Sequence, residues 1–319
     1  MNDLRRHIIG RRAVGGWAAG LGLALAMSAC TGGSDPLSTV PATSTSASAG
    51  EPIVIGAADF IESQVIAEVY AGALNAAGVA ASTKPNIGSR EVYFKAVQAG
   101  SVDIVPDYSG DLLLLIDKEA TEVSADEILR ALPGKLPNGL GVLDASKAEK
   151  KDAMVVTKAT AEKYQLKSLA DLAKACSELV VGAPATFAER DYGLPGLKKN
   201  YDCVPKKLEP FSDRGGAATV KALLADEVQV ADIYTTTPAI ADNDLVVLED
   251  PKNNFIAQQV LPLYNEAKMT DKAKETLNNV SRTLTTEDLI NLNRAVSGNQ
   301  KQDPKEAALA WLKDKGFTK

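Results

Sequence analysis

The chain has 319 residues, enough for two domains, and its 41 Asp and Glu residues against 35 Lys and Arg give a formal charge of −6. Its only histidine, His7, lies close to the N-terminus, so catalysis or metal binding by imidazole is excluded for the rest of the chain. The acidic balance also argues against nucleic acid as a partner. An enzyme is therefore disfavoured, and we predict no cofactor and no metal site.

Residues 1–29 have the features of a secretory signal peptide. Four arginines, at positions 5, 6, 11 and 12, precede a Gly/Ala-rich apolar run over 13–29 that ends in small residues. Cys30 follows directly, which is the pattern of bacterial lipoprotein processing, in which the cysteine thiol becomes the lipid anchor. We expect an exported protein attached through Cys30 to the outer face of the cytoplasmic membrane, with plain secretion as the alternative.

Residues 30–50 predict a flexible tether. They are almost wholly Thr, Ser, Ala, Gly and Pro, and they show no apolar period that could build a core. The leader contains four arginines and one aspartate, so its removal leaves 31 basic residues against 40 acidic ones, a formal charge of −9. We attribute this acidic excess to solubility.

The next hundred residues alternate between apolar β-branched runs and helical periodicity. Strands are predicted at 53–57, 80–84 and 102–105, and helices at 60–77, 91–99 and 124–132. This alternation predicts a parallel sheet with crossover helices.

A second series of the same kind begins near residue 152. Its strands are predicted at 154–156, 179–183, 206–209 and 228–232, and its helices at 168–175 and 217–225. A strand at 259–264 then crosses back to the first series, and helices at 271–277, 287–296 and 305–315 close the chain. We predict lobe 1 over 51–151 plus 253–319, lobe 2 over 152–252, and a double hinge on which the lobes close.

The chain repeats one pattern 126 residues apart. Residues 95–109 align without a gap on 221–235, and in each copy a helical turn leads to a short strand that ends in a tyrosine followed by a hydroxyl residue. The two tyrosines are Tyr108 and Tyr234. Because ligands of open α/β sheets bind at the carboxyl ends of strands, the repeat predicts a cleft between two α/β lobes.

Two cysteines remain once Cys30 is assigned to the lipid anchor. Cys176 and Cys203 each stand just before a predicted strand, and neighbouring parallel strands bring such positions side by side. In an exported protein this placement predicts a disulfide, with two buried free thiols as the alternative.

Several motifs, in order along the chain, carry a resemblance to a known family. They are Ile55-Gly-Ala-Ala-Asp-Phe60, Val102-Asp-Ile-Val-Pro-Asp-Tyr-Ser-Gly110, Ala161-Glu-Lys-Tyr164, Gly193-Leu-Pro-Gly196, Leu284-Thr-Thr-Glu-Asp-Leu289 and Asp303-Pro304. Over residues 51–319 the chain resembles the osmoprotectant-binding proteins of bacterial ABC importers, which bind glycine betaine, choline, carnitine and related compounds. The resemblance implies a type II periplasmic-binding-protein fold and handover of the solute to a membrane permease with its cytoplasmic ATPase.

The resemblance also implies site residues. In this family a box of tyrosines holds the quaternary ammonium by cation–π attraction, and basic and hydroxyl groups meet the carboxylate. Tyr108 and Tyr234 match two box tyrosines, and Arg190 matches a carboxylate-binding arginine.

The chain departs from the family at four positions. Asp152 and Gln258 stand where two further box tyrosines are usual. Asp111 stands where a carboxylate-binding threonine is usual, and Ala58 stands where a polar or basic side chain is common. Two lost aromatic faces would weaken ammonium binding by roughly 30- to 1000-fold if nothing compensated. Asp152 would either contact the ligand or pair with Arg190.

The sequence therefore does not identify the cargo. It favours a solute like glycine betaine, choline or carnitine, and the alternative on the same fold is a polyol, polyamine or phenolic compound. An extracytoplasmic enzyme or a ligand-sensing surface protein is less favoured, and we expect a monomer. Residues 147–152 are interpreted as a solvated connector in which only Asp152 is a site candidate, and Trp311 as a core residue.

Overall fold

The computed structural model describes residues 51–213, 215–297 and 301–318. The predicted signal peptide, the tether and Cys30 lie outside these residues. Among the helices described, none combines the length and the apolar character needed to cross a bilayer.

The N-terminal half of the described chain alternates strands and helices as predicted. Its elements are β1 (Ile53–Gly56), α1 (Ile61–Ala76), β2 (Ala81–Lys84), α2 (Arg90–Gln98), β3 (Ile104–Tyr108), α3 (Ser109–Ile116), α4 (Ala125–Lys135) and β4 (Leu140–Val142). Helix α4 begins with a capping box in which Ser124 and Glu127 satisfy each other's backbone N–H groups.

The second series follows. Its elements are β5 (Asp152–Val156), α5 (Lys158–Tyr164), α6 (Leu169–Ala175), β6 (Val180–Ala183), α7 (Leu194–Tyr201), β7 (Lys207–Pro210), α8 (Ala217–Leu224), β8 (Val230–Tyr234), α9 (Pro238–Asp242) and β9 (Val246–Val247). The chain then forms β10 (Val260–Asn265), α10 (Asp271–Thr283), α11 (Thr286–Ser297) and α12 (Pro304–Asp314). Six short elements were not among the predicted strands and helices: α3, β4, α5, α7, α9 and β9.

The strands form two five-stranded sheets, in the orders β2-β1-β3-β10-β4 and β7-β6-β8-β5-β9. The parallel arrangement predicted for the first three strands is confirmed, since β1 is parallel to β2 and to β3. Each sheet is nevertheless mixed, because β10 runs antiparallel to β3 and β4, and β5 runs antiparallel to β8 and β9. In each sheet the antiparallel strand is the one that follows a crossing between the lobes, so the chain enters that sheet from the cleft side. The predicted α/β architecture, with one sheet in each of two lobes, is confirmed.

Each lobe has its own core. In lobe 1 the helices α1, α10, α11 and α12 cover one face of the sheet, where Tyr70, Leu74 and Leu277 are buried. Trp311 is also buried there and stacks on Phe317, with 5.8 Å between ring centroids, as expected of a core residue. Since α1 packs most closely on α12, the C-terminal helices close the first lobe.

Cys176 and Cys203 form the predicted disulfide in lobe 2, with Cα atoms 5.4 Å apart. Cys176 begins a short 3₁₀ turn just before β6, and Cys203 precedes β7, the parallel neighbour of β6. Both cysteines lie in the apolar core of the lobe beside Leu179 and Leu197. The bridge therefore joins the N-terminal sides of two adjacent strands, away from the cleft.

Candidate functional site

A cleft opens where the two sheets face each other. It comprises two adjoining cavities of about 850 and 650 Å³, which share the residues Arg90, Asp111, Asp152, Arg190, Tyr192 and Tyr234. Strand β3 ends here at Tyr108, and strand β8 ends here at Tyr234. The cleft therefore lies at the carboxyl ends of strands from both lobes, where open α/β sheets bind ligands.

The structure brings all six predicted ligand residues to one place. The smaller cavity is lined by every one of them: Tyr108, Asp111, Asp152, Arg190, Tyr234 and Gln258. Their roles toward a ligand stay predictions, but the residues that the family resemblance indicated all lie on a single surface.

Three aromatic rings converge on one point of this cavity. The rings of Phe60, Tyr108 and Tyr234 have their centroids 4.4, 5.6 and 4.8 Å from the ammonium nitrogen of Lys150. We call these three side chains the aromatic box. All three distances are within the range of cation–π attraction, so the box is built to the dimensions of a cation. Phe60 therefore adds an aromatic face that compensates in part for the two tyrosines missing at positions 152 and 258.

A buried carboxylate lies beside the box. Glu62 accepts a hydrogen bond from the Tyr108 hydroxyl and another, at 2.6 Å, from the Asn293 side chain. Its carboxylate is 3.7 Å from the Lys150 ammonium. Burial, and next the charge of Glu62, raise the pKa of Tyr108 well above its usual value, so the phenol stays neutral and keeps donating to Glu62.

The interpretation of residues 147–152 as a solvated connector is wrong at Lys150. Its side chain is only 20% exposed, because it turns into the cleft between the lobes instead of into solvent. Its backbone N–H donates to the Gln258 carbonyl, which ties the first crossing segment to the second.

Asp111 and Gln258 hold each other at the lobe 1 wall of the cleft. The Gln258 side-chain amide donates to the Asp111 carboxylate at 2.6 Å and accepts from the Asp111 backbone N–H at 3.0 Å. The other Asp111 oxygen lies 3.0 Å from Arg90, whose Nε also donates to the buried Asp107. Gln258 is buried and both ends of its amide are occupied, so it orients Asp111, whose side chain is 44% exposed toward the cleft.

Two carboxyl groups meet at the lobe 2 wall. Asp152 begins β5 and lies opposite Tyr234 in the register of β5 and β8, and Asp232 lies two residues before Tyr234 on the same face. We call Asp152 and Asp232 the acid pair. Of the polar atoms in the described part of the chain, Asp232 Oδ1 is one of the few that are buried without a hydrogen-bond partner.

The electrostatics of the acid pair follow from this closeness. Burial, and then the charge of Asp111, raise the pKa of Asp152 to about 6, although Arg190 and Lys150 oppose the rise. Burial and the charge of Asp152 raise the pKa of Asp232 well above its usual value. Two desolvated carboxylates side by side repel, so the pair retains a proton into the neutral range unless a cation or a hydrogen-bond donor arrives.

Arg190 lies at the mouth of both cavities. Its guanidinium donates to the Tyr192 hydroxyl and sits 5.5 Å from the centre of the Tyr192 ring. In the described residues no ion pair within 4 Å joins Arg190 to Asp152, so the expected alternative in which the two simply pair is not what the structure shows. The guanidinium is exposed and positioned to meet an anionic group in the cleft.

Sequence reasoning missed Phe60, Lys150, Asp232 and Arg90. A signal existed for Asp232, since an acid inside an otherwise apolar strand is rarely buried without a purpose. Phe60 stood inside a quoted motif but was not given a role. Lys150 offered no signal, because its place in the box depends on how the lobes face each other.

Residues 51–314 match the family model of OpuAC, the substrate-binding domain of ABC-type glycine betaine transport systems. The chain belongs to the OpuAC family. This membership confirms the predicted relationship to osmoprotectant-binding proteins and the prediction of a binding protein instead of an enzyme.

Similar OpuAC-type proteins match along nearly their whole length. The chain is 27% identical over 285 residues to the glycine betaine-binding protein YehZ of Escherichia coli K12, which covers 85% of this chain and 93% of YehZ. It is 26% identical over 278 residues to the carnitine transport binding protein OpuCC of Listeria monocytogenes. That match covers 85% of this chain and 89% of OpuCC. A crystal structure titled glycine betaine/carnitine/choline ABC transporter superposes with a TM-score of 0.77 at 26% identity, covering 83% of this chain and 99% of that one.

Proposed function

We propose that the chain is the extracytoplasmic, lipid-anchored binding component of an osmoprotectant-type importer. It captures a small solute like glycine betaine, choline or carnitine in the interlobe cleft and delivers it to a permease driven by a cytoplasmic ATPase. The observation that carries this proposal is the aromatic box, in which rings from both lobes surround one ammonium nitrogen.

The chemistry of such solutes suits the box. A trimethylammonium group cannot donate hydrogen bonds, so the faces of Phe60, Tyr108 and Tyr234 are its natural partners. The carboxylate of a betaine or carnitine would then extend toward Arg190, which lines the same cavity. The names of YehZ and OpuCC support this class of cargo.

The arrangement of the chain supports delivery at a membrane. The Cys30 pattern and the tether over 30–50 would hold residues 51–319 a short distance from the bilayer. The boundaries that we propose for lobe 1 (51–151 plus 253–319) and lobe 2 (152–252) fall in the two segments that cross between the sheets. Bending there would close the lobes on the solute, which is the form that we propose the permease recognises.

One observation favours a second class of cargo. The buried Asp232 Oδ1 has no partner among the described residues, and Asp232 lines the larger cavity beside Asp152. A solute with several N–H or O–H groups, such as a polyamine, a polyol or a phenolic compound, would supply a donor to this wall, whereas a trimethylammonium group or glycine betaine has none to give.

Calorimetric titration of the purified protein tests the cargo. We expect binding of glycine betaine, choline or carnitine, and its loss in Tyr234→Ala, which removes a box face. Tyr164→Ala is the matched control, because Tyr164 lies on α5 and lines a different cavity. Binding only of polyamines, polyols or phenolics would reject the betaine class and support the second one.

Cell fractionation tests the anchor. We expect the protein in the membrane fraction and the Cys30→Ser variant in the soluble exported fraction. A variant that stays with the membrane would show that the attachment does not depend on Cys30.

A further inference from the structure

Lys150 stands where the positive charge of a cargo would stand. Its ammonium touches rings of both lobes: Phe60 and Tyr108 from the first, and Tyr234 from the second. We propose that Lys150 is a built-in competitor for the aromatic box, and that a cargo cation binds only by displacing this ammonium. The inference rests on the proposed function, because it takes the box as the place of the cargo's cation.

The buried Glu62 explains why the box needs a resident cation. Glu62 is nearly inaccessible to water, and its two hydrogen bonds come from Tyr108 and Asn293, which are uncharged. A buried carboxylate without a positive charge nearby is costly, and Lys150 supplies that charge at 3.7 Å. A quaternary ammonium in the box would supply it equally well, so the two cations are alternatives at one position.

The displaced ammonium has a place to go. Lys150 and Asp152 both line the smaller cavity, and Lys150 is close enough to Asp152 for its charge to lower the pKa of that carboxyl group. Asp152 belongs to the acid pair, and within the described part of the chain Asp232 Oδ1 has no hydrogen-bond partner. Leaving the box therefore moves Lys150 from one carboxylate toward two others within the same cleft.

The exchange makes Lys150 a residue that sets the affinity of the box. A solute gains only the difference between its own attraction to the rings and that of the lysine, so the apparent affinity of every cation falls by the same factor. Because Lys150 lies in the crossing segment and bonds through its backbone to Gln258, its release also occurs at the hinge, where lobe closure takes place.

A comparison of two lysine variants tests the competition. In Lys150→Met the box is free of its resident cation, and we expect tetramethylammonium and choline to bind about tenfold more tightly than to the wild type. Lys151→Met is the matched control. Lys151 lines the same cavity and pairs with Glu149, yet in the described residues it has no cation–π contact with the box. The control removes the same charge, so we expect less than about a threefold change.

A measurement without cargo keeps the test independent of folding in the variant. In the wild-type protein the ε-methylene protons of Lys150 should resonate upfield of the other lysines, because three rings shield them. Saturating choline should move them back. Absence of an upfield lysine signal would overturn the proposal.

The outcomes separate this inference from the proposed function. Binding to Lys150→Met no tighter than to Lys151→Met overturns the competition, whatever the wild type binds. Weaker binding to Lys150→Met than to the wild type also overturns it, since Lys150 would then be a ligand contact. Tight binding to Lys150→Met with none to the wild type supports the competition but rejects the betaine class as the natural cargo.

Discussion

The two lobes are copies of one design that differ where they meet the cleft. Strands β2 and β3 map on β7 and β8 with the same 126-residue offset that the sequence shows. The Val54 N–H donates to the Asp103 side chain, and at the equivalent place the Val180 N–H donates to the Gln229 side chain. Even a single hydrogen bond between a side chain and the backbone is therefore repeated.

Both strands end in a tyrosine, but the surroundings of the two tyrosines differ. In lobe 1 Tyr108 is buried and its hydroxyl is committed to Glu62, whereas in lobe 2 Tyr234 is half-buried. The buried acid of lobe 1, Asp107, is neutralised by Arg90, whereas Asp232 of lobe 2 faces another acid. Lobe 1 thus presents a preassembled wall, whereas among the described residues the acid pair of lobe 2 has no cation within ion-pair distance.

The largest expected difference between the lobes is the cost of removing each tyrosine. Tyr108→Ala should lower the free energy of unfolding by about 3 to 5 kcal/mol, because it opens a cavity and leaves Glu62 short of a donor. Tyr234→Ala should cost less than half as much while still abolishing cargo binding. Urea unfolding measures the loss of unfolding free energy in each variant. Equal losses would show that the lobe 1 side of the cleft is no more rigidly built than the lobe 2 side.

The disulfide is the next largest asymmetry, since it lies in lobe 2 and bridges 27 positions of the chain. Replacing Cys176 and Cys203 together by serine should destabilise the protein by about 3 kcal/mol, because the unfolded chain gains freedom. Hydrogen exchange should increase in β6 and β7 more than in β1 and β2. Uniform acceleration in both sheets would mean that the lobes unfold as one unit.

The acid pair should make stability depend on pH through lobe 2. The raised pKa of Asp152, about 6, means that the folded state binds its proton more tightly than the unfolded state does. The stabilisation is complete below about pH 4 and is lost as the pH rises through 6. The charged groups that act on Asp152 are Asp232, Asp111, Arg190 and Lys150.

Asp152→Asn measures this loss directly. We expect the variant to exceed the wild type in unfolding free energy by roughly 1 to 2 kcal/mol at pH 8, a value that allows for the partial exposure of Asp152, and to match it at pH 4. Thermal unfolding at the two pH values checks it. A difference that does not change with pH would assign the effect to packing.

Removal of the repeated hydrogen bond should change the free energy of unfolding least, and by nearly the same amount in the two lobes. Asp103→Ala and Gln229→Ala each leave one strand N–H without its acceptor, at about 1 kcal/mol. Gln229→Ala should fall near this value, and Asp103→Ala slightly above it, because Asp103 also lies 3.6 Å from Lys268. Costs that differ by more than twofold would show that the lobes are alike in geometry but not in energetics.

The pattern of apolar residues along the chain predicted most of the strands and helices, but it placed the start of one strand too early in each of the two repeats. The strands predicted at 102–105 and 228–232 begin two residues later, at Ile104 and Val230. Val102 and Val228 still belong to the turn that ends the preceding helix, where their N–H groups reach the carbonyls of Ala96 and Ala222. β-Branched residues suit both a strand and such a turn, so composition could not separate them.

The sequence by itself determined the repeat, the α/β alternation and the disulfide, which depend on spacing along the chain or on where a strand ends, and both are local properties. Of the six residues that line one cavity, the repeat marks Tyr108 and Tyr234, and the resemblance to the osmoprotectant-binding proteins supplied the other four. Tertiary structure alone decided that β5 and β10 run antiparallel, that Asp152 faces Asp232, and that Lys150 occupies the aromatic box. The first two depend on which distant strands become neighbours in a sheet, and the third depends on how the two lobes face each other. Their energies depend on burial and on charges that come together only in the folded protein.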